Sequence, residues 1–316
     1  MGIAMKKRTL LISAAAAAGA AYALGSQALF SAASKRDSAY LSLLLKHEGQ
    51  YSQLVEDFQA RMKTRTLTDL TIYSRDGLKL AAHWWPAENA RRTILLAHGW
   101  HGGWNRDFAG IAEDLHDGGA NLLFIEQRAQ GASEGKYLTF GLMERYDVAD
   151  WACRLAEFAG TQLPIYLFGI SMGAASVLMA SALPLPDCVR GICADCGYTS
   201  PGEILRRTTD VKTHLPVLTY GANLLLRAHT GLDYNGVSTL DALRANRLPT
   251  LIVHGDADAL VPVSMAYENY AACAAPKDLL IVHGAKHGLS YLVDKEAYQE
   301  KLTRLFAYCE NNVETL

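Results

Sequence analysis

The sequence lacks the charge excess that would indicate a nucleic-acid-binding protein. Lys and Arg total 30 against 32 Asp and Glu, the formal net charge is −2, and the basic residues form no stripe. It also has no internal repeat and, apart from alanines near the N-terminus, no low-complexity segment. We therefore predict no nucleic-acid partner and no repeat architecture. Half of the 316 residues are hydrophobic, which suffices for the core of one catalytic domain.

The six cysteines lack the pattern of a disulfide scaffold. Cys193 and Cys196 have C-x-x-C spacing, but both fall in a predicted strand, where a spacing of three directs side chains to opposite faces. No second Cys or His pair lies nearby in the sequence, so we predict no metal site. The remaining cysteines are expected to be small buried hydrophobic residues: Cys153, Cys188, Cys273 and Cys309.

What the sequence does contain is a G-x-S-x-G motif between a short apolar strand and a helix rich in small residues. This pattern is typical of a nucleophile elbow, a strained strand-to-helix turn that exposes Ser171. Gly169 and Gly173 would let the two backbones approach closely. The amide of Met172 would then lie at a helix N-terminus, where it can stabilise developing negative charge.

A serine nucleophile needs a base, an acid that orients the base, and a second oxyanion donor. Because parallel strands place their carboxyl ends at one edge of a sheet, we expect three strand-end segments to converge on Ser171. These segments are HGWHGGW at 98–104, HGDADALVP at 254–262 and HGAKHG at 283–288. Local chemistry leaves two acids, Asp256 and Asp258, as alternatives on the second segment.

From about Thr66 onward, the motifs resemble those of α/β-hydrolases, particularly the bacterial serine-aminopeptidase-like or BEM46-like branch. They are HGWHGG at 98–103, GASEG at 131–135, GISMG at 169–173, ADCGYTS at 194–200, HGDADALVP at 254–262 and GAKHGLSY at 284–291. The resemblance implies an α/β-hydrolase fold, with a mostly parallel central sheet, helices on both faces and a helical lid insertion at about 198–245.

The resemblance also implies which residues complete the catalytic triad. The family pattern G-x-x-D-x-x-V-P places the orienting acid at Asp258 and leaves Asp256 to brace the turn. The base falls on His287, whereas we interpret His283 as a core or strand-end residue.

Similarity to the family further places the oxyanion donors at the backbone amides of Trp100 and Met172. We expect the side chains of His101 and Trp104 to bind substrate on the acyl side, beside the indole of Trp100. No metal or organic cofactor is implied.

These assignments predict a serine hydrolase that cleaves carboxylic esters of a small-molecule acyl substrate through an acyl-enzyme intermediate. A peptidase, a thioesterase or an acyltransferase with the same triad is the alternative, and a non-catalytic binding protein on this fold is a further one. An aminopeptidase would need an acidic clamp for the substrate amine, and the insertion shows no evident acidic pair.

The N-terminal 36 residues precede this catalytic region, which we place at 37–316. Lys6, Lys7 and Arg8 lead into an uncharged run from 9 to 34, which predicts a transmembrane helix that anchors an extracytoplasmic catalytic domain. The alternatives are secretion after cleavage at Ala28 and an alanine-rich buried helix. Because this run has no part in triad chemistry, its removal is expected to leave an active domain.

Between the N-terminal run and the motifs, the sequence predicts two further elements. Helical spacing of Tyr40, Leu44, Leu54 and Phe58 indicates an amphipathic helix within 37–65. The dipeptide Asp76-Gly77 then predicts a hairpin turn between two strands.

Overall fold

The computed structural model describes residues 2–36, 49–213 and 217–311, and these residues build one central sheet covered by helices. The eight strands are β1 (Thr68–Tyr73), β2 (Lys79–Trp85), β3 (Arg92–Ala97), β4 (Ala120–Ile125), β5 (Ile165–Ile170), β6 (Val189–Asp195), β7 (Thr250–Gly255) and β8 (Lys277–Val282). Their spatial order is β1-β2-β4-β3-β5-β6-β7-β8. The β1–β2 and β2–β4 pairs are antiparallel, and all other neighbours are parallel.

Twelve helices are described around this sheet. They are α1 (Gly2–Ser34), α2 (Gly49–Met62), α3 (Trp104–Asp107), α4 (Ala112–Asp117), α5 (Glu144–Ala159), α6 (Met172–Ala180), α7 (Pro201–Thr213), α8 (Val217–Thr230), α9 (Thr239–Ala245), α10 (Ser264–Ala272), α11 (Ser290–Val293) and α12 (Lys295–Asn311).

The central strands are buried along their whole length because helices cover both faces of the sheet. Every residue of β3, β4, β5 and β7 is buried, which explains why these segments are almost continuously apolar in sequence. One face carries a cluster around Phe108 and Tyr298, and the other a cluster around Trp151 and Leu178. The predicted fold, a mostly parallel sheet with helices on both faces and a helical insertion, is confirmed.

The predicted hairpin and amphipathic helix are also confirmed within the described residues. Gly77 adopts a φ of +83° in the turn between β1 and β2, a conformation that favours glycine. In α2, Phe58 is fully buried against the cluster around Phe108. Tyr40 and Leu44, which belong to the same prediction, lie outside the described residues.

The N-terminal run was interpreted wrongly as a membrane anchor. No helix within 2–36, 49–213 or 217–311 combines the length and apolar character needed to cross a membrane. Small side chains dominate the run, and each offers little apolar surface. The extracytoplasmic placement was argued from this anchor and loses that support with it. Ala28 lies within α1, which continues unbroken to Ser34.

A third apolar cluster joins the end of α1 to the helical insertion and to the start of α6. Phe30 of α1, Leu226 of α8 and Met172 of α6 all belong to it. The alternative of a buried alanine-rich helix is thus correct only for the C-terminal part of α1, since Leu11 and Leu24 are 71% exposed.

Two predictions about the cysteines need correction. Strand β6 ends at Asp195, so Cys196 lies beyond it with a φ of +48°, and both C-x-x-C residues join the same apolar cluster rather than opposite faces. Cys153 is exposed and Cys188 is partly exposed, unlike the buried Cys273 and Cys309. Spacing alone missed the change of backbone direction after β6.

Candidate active site

Ser171 lies in the sharp turn between β5 and α6. Its φ of 56° and ψ of −116° fall outside the regions that most residues adopt, and such strain is found most often at functional sites. Neighbouring glycines permit the turn, because a Cβ on Gly173 would collide with the carbonyl of Ala97 and one on Gly169 with the backbone of Gly173. The amide of Ser171 donates to the carbonyl of Asp195, which fixes the turn against β6.

Ser171, His287 and Asp258 form a continuous chain of hydrogen bonds. Ser171 Oγ lies 2.9 Å from His287 Nε2, and His287 Nδ1 lies 2.6 Å from Asp258 Oδ2. These side chains come from the loops after β5, β8 and β7, as expected for the carboxyl ends of parallel strands. The acid is fully buried, whereas the imidazole keeps 24% of its surface exposed.

Four donors surround the Asp258 carboxylate. Its Oδ1 accepts hydrogen bonds from the amides of Leu260 and Val261 at 2.8 and 2.9 Å, while Oδ2 faces both His287 and, at 3.3 Å, His254. Burial on its own would raise the pKa of Asp258, but the hydrogen bonds from His254 and His287 outweigh it and hold that pKa well below its usual range. The carboxylate is therefore charged at neutral pH.

His254 is a neighbour of this acid that the sequence analysis missed. Its ring is buried, and Nε2 also lies 2.9 Å from the carbonyl of Val261. Burial lowers the pKa of His254, but the hydrogen bond with Asp258 and the charge of that carboxylate raise it overall. The only signal in the sequence was its position two residues before Asp256.

Asp256 braces its turn, as predicted, and of the two places expected for His283, the core and the strand end, the structure shows the strand end. Asp256 accepts hydrogen bonds from His283 Nδ1 and from the amide of Gly284, both at 2.7 Å. The His283 side chain is 98% exposed, because it extends beyond the end of β8. The apolar run that suggested burial stops at Val282.

The loop after β3 passes directly beside Ser171. A Cβ on Gly99 would lie 3.3 Å from the Cβ of Ser171, so the backbone at Gly99 borders this serine. Gly99 donates its amide to Asp107 Oδ2 at 2.8 Å. In the described part of the chain, no hydrogen bond uses the amides of Trp100 or Met172, which leaves both available to a ligand.

Asp107, which the sequence analysis also missed, holds this loop through its hydrogen bond with the Gly99 amide. It is buried, which favours the neutral acid, but the charge of Arg106 and the hydrogen bonds from Arg106 and Gly99 lower the pKa of Asp107 overall. Arg106 Nε donates to Asp107 Oδ1 at 2.8 Å. A charged acceptor therefore holds the Gly99 amide next to Ser171.

His101 and Trp104 occupy different surroundings. His101 has a φ of 45°, packs edge-on against Trp100 at 4.7 Å, and its Nε2 is buried without a hydrogen-bond partner among the described residues. Burial, followed by the nearby charge of Arg106, lowers the pKa of His101 to about 4. Trp104 instead packs against His83 and Phe124. Substrate binding by His101 and Trp104 stays a prediction.

A mostly apolar cavity of about 130 Å³ opens beside Ser171 and His287. This is close to the roughly 150 Å³ of an engineered cavity known to hold benzene, so a group of about six carbons fits. Helix α2 contributes Leu54 and Val55 to its wall, which the sequence did not reveal. The remaining apolar lining includes Trp100, Ile111, Phe168, Ile170, Leu260, Leu289 and Leu292.

A larger groove, of about 660 Å³, lies around the amino ends of β6 and β7. Arg190, Arg247 and Cys309 contribute to its wall, and none of the three residues of the Ser171 hydrogen-bond chain does. The strained Ser171 therefore borders the smaller of these two cavities.

Cys196 lies close to Asp258 and His287. Its sulfur, an oxygen of Asp258 and a nitrogen of His287 lie within 4.8 Å of one another, the one such grouping of possible metal ligands in the described ranges. Two of its three members already bond to each other in the chain that ends at Ser171. Burial raises the pKa of Cys196 well above its usual value, which keeps the thiol protonated.

Several known proteins are similar to this chain in sequence. The model of the serine aminopeptidase family S33 matches residues 88–201. YqkD, an uncharacterised protein of Bacillus subtilis strain 168, is 26% identical over 251 residues, which cover 78% of this chain and 79% of YqkD. YfhR of Escherichia coli K12, also uncharacterised, is 25% identical over 202 residues, or 64% of this chain and 65% of YfhR.

Solved structures share the fold. An esterase of Pyrococcus furiosus, Pf2001, superposes with a TM-score of 0.63 at 22% identity, covering 78% of this chain and 92% of that one. A soluble variant of monoglyceride lipase from Saccharomyces cerevisiae, in complex with a substrate analogue, gives 0.59 at 18% identity, covering 77% and 96%. The chain has the α/β-hydrolase fold, as the resemblance of its motifs implied.

Proposed function

We propose that this protein is a serine hydrolase that cleaves carboxylic esters, with Ser171, His287 and Asp258 as its catalytic triad. The observation that carries the proposal is the unbroken hydrogen-bond chain from a strained serine to a buried carboxylate, with distances of 2.9 and 2.6 Å. A nucleophile, a base and an orienting acid in this arrangement define triad chemistry independently of chain order.

Catalysis would proceed in two half-reactions. His287 Nε2 takes the proton of Ser171 Oγ as that oxygen attacks the ester carbonyl carbon. The tetrahedral intermediate collapses when the bond to the leaving alkoxide breaks and His287 returns the proton to it, which releases an alcohol and leaves an acyl-enzyme. Water, deprotonated by His287, then attacks the acyl carbon, and the acid departs as the proton returns to Ser171.

Asp258 would keep the imidazole in the tautomer that presents a free Nε2 to the serine. Its contact with His287 Nδ1 requires a proton on that nitrogen, since the lowered pKa of Asp258 makes the carboxylate an acceptor. The same negative charge stabilises the imidazolium formed during attack.

The negative oxygen of the intermediate would be held by the amides of Trp100 and Met172. Both flank Ser171, and Met172 also begins helix α6, so the helix dipole adds to its effect. One such donor contributes about 3 kcal/mol to lowering the barrier.

Esters fit the surroundings better than substrates with a free amine. The three acids of the insertion whose side chains are described are each paired with an arginine: Glu203 with Arg206, Asp233 with Arg227, and Asp241 with Arg244. No uncompensated acidic pair is left there to clamp an amine. The apolar cavity beside Ser171 suits an acyl chain, and two of the structural relatives are named as an esterase and a monoglyceride lipase.

We assign the hydrolase domain to residues 37–316 and a lid role to the insertion at 198–245. Helices α7 and α8 of that insertion enclose the third apolar cluster, next to Met172.

Labelling with a fluorophosphonate probe tests the nucleophile directly. Wild type should be labelled, Ser171→Ala should not, and Ser181→Ala, a serine at the other end of α6, should be labelled like wild type. A panel of p-nitrophenyl esters and aminoacyl anilides then tests the substrate class. Turnover confined to the anilides would overturn the ester assignment, and labelling of Ser171→Ala would overturn the nucleophile.

A further inference from the structure

We propose that the backbone carbonyl of Ala33 positions the oxyanion loop, residues Gly99–His101. The docked end of α1 (Ser26–Ser34) would then be a working part of the catalytic site. The indole Nε1 of Trp100 donates to the Ala33 carbonyl at 2.7 Å. The amide of that same tryptophan is the oxyanion donor assigned above. This inference rests on the proposed function.

The carbonyl of Ala33 is free to accept this bond because α1 ends at Ser34. The last four carbonyls of a helix have no donor within the helix and need partners from outside. Trp100 satisfies one of them, and the amide of Leu138 satisfies the next, the carbonyl of Ser34, at 2.7 Å. The contact therefore serves both the helix end and the loop.

The docked end of α1 is held firmly enough to act as a support. Phe30 is fully buried and packs against two rings that also contact each other, with centroid distances of 5.5 Å to Tyr137 and 5.3 Å to His229. Ser34 Oγ lies 2.5 Å from the hydroxyl of Tyr234. These contacts tie α1 to the loop before α5 and to the insertion at the same time.

The other side of the oxyanion loop is held by Asp107, which accepts the amide of Gly99. Two consecutive residues are thus each held by a hydrogen bond: Gly99 by the buried Asp107 carboxylate, and Trp100 by a carbonyl of α1. The next residue, His101, has a positive φ of 45°, a conformation that needs support from its surroundings. Loss of the Ala33 contact would free Trp100 to move relative to Ser171.

A shift of about 1 Å in a catalytic group can cost up to 100-fold in rate. Losing the support should therefore lower kcat more than it raises KM, because the amide of Trp100 acts mainly on the transition state. This outcome is the opposite of our expectation from sequence, that residues 1–36 can be removed without loss of activity.

Two substitutions in the full chain remove the support in different ways. Trp100→Phe deletes the indole N–H and keeps an aromatic ring, while Phe30→Ala deletes the side chain that docks α1. Leu24→Ala is the control, since this residue lies on the same helix but is 71% exposed. Fluorophosphonate titration gives the number of active sites, so that kcat is expressed per competent molecule.

We expect each of the two variants to lower kcat about tenfold, with KM within about threefold of wild type. The Ki of a trifluoromethyl ketone, whose hemiketal oxygen occupies the oxyanion site, should rise by the same factor as kcat/KM falls. Because both substitutions act on the same contact, between Trp100 and Ala33, the double variant should lose little more kcat than either single variant. Leu24→Ala should match wild type.

Full kcat per titrated site in both variants would overturn the proposal, as would losses that multiply in the double variant. A readout without turnover separates this failure from failure of the proposed function. Hydrogen exchange at the amides of residues 99–101 should accelerate in Phe30→Ala and not in Leu24→Ala, even if no ester is cleaved. Unchanged exchange would overturn the positioning role by itself.

Discussion

Two histidine–aspartate pairs bridge the same two loops of this molecule and differ in almost everything except distance. Asp258 and His287 lie 2.6 Å apart, and Asp256 and His283 lie 2.7 Å apart. Each pair joins the loop after β7 to the loop after β8. Distance alone therefore does not separate the inner pair, Asp258 and His287, from the outer pair, Asp256 and His283.

Burial and a third partner distinguish the inner pair. The Asp258 side chain is fully buried and receives four donors, whereas His283 is 98% exposed. His287 reaches Ser171 on its far side, and the described residues provide no hydroxyl at that position for His283. Chemistry depends on what a pair connects to, and the following experiments test that difference.

Removing the third partner should have the largest effect. Ser171→Ala leaves the inner pair with no nucleophile and should reduce ester turnover by about 10⁶-fold, as loss of the serine does in a serine protease. The melting temperature should stay near that of wild type, because the hydroxyl is a small part of a well-packed turn. Turnover close to wild type in a folded variant would show that the nucleophile lies elsewhere.

Exchanging the acids in turn separates the pairs next. Asp258→Asn should lower kcat by about 10⁴-fold, because the amide no longer selects the reactive tautomer of His287. Asp256→Asn is the matched control and should keep kcat within about threefold, since its partner does not contact Ser171. If the larger loss followed Asp256→Asn, the register of the acid loop would be wrong.

The residues alone left Asp256 and Asp258 as alternatives on one loop, and the family pattern G-x-x-D-x-x-V-P selected Asp258 as the partner of His287. The elbow at Ser171 and the hairpin at Gly77 follow from local patterns of apolar residues and glycine, whereas the spatial order of the strands does not. Sequence reasoning failed for α1, because an uncharged run of small residues is compatible both with a membrane span and with packing against a protein surface. Which neighbour covers Phe30 depends on tertiary packing, and no local pattern records it.

Supporting residues were missed for a related reason. His254 and Asp107 act through backbone groups, the Val261 carbonyl and the Gly99 amide. Backbone groups carry no sequence signal. The same applies to the Ala33 carbonyl that receives the Trp100 indole.

The pH dependence of stability should distinguish the pairs by a smaller margin. The pKa of Asp258 is lower in the folded protein than the usual value of about 3.9, so the unfolded chain binds more protons between the two pKa values and stability rises with pH there. The contribution is complete above about pH 5 and is lost as pH falls through the folded pKa.

Urea unfolding from pH 7 down to pH 3 measures this contribution. The free energy of unfolding of wild type should fall more steeply below pH 5 than that of Asp258→Asn, which carries no titrating group at this position. Asp256→Asn should follow wild type closely, because water and salt screen an exposed pair. Parallel curves for wild type and Asp258→Asn would contradict the lowered pKa.

The smallest effect is expected from the outer histidine. His283→Asn removes the imidazole from a side chain that is 98% exposed, and exposed ion pairs contribute little to stability. Asp256 keeps its hydrogen bond from the Gly284 amide, so the turn retains its brace. We expect a melting temperature within about 2 °C of wild type and an unchanged kcat. His287→Asn is measured beside it as the matching change in the inner pair. A melting temperature lowered by much more than about 2 °C in His283→Asn would contradict this expectation and would mean that the outer pair holds the two loops together.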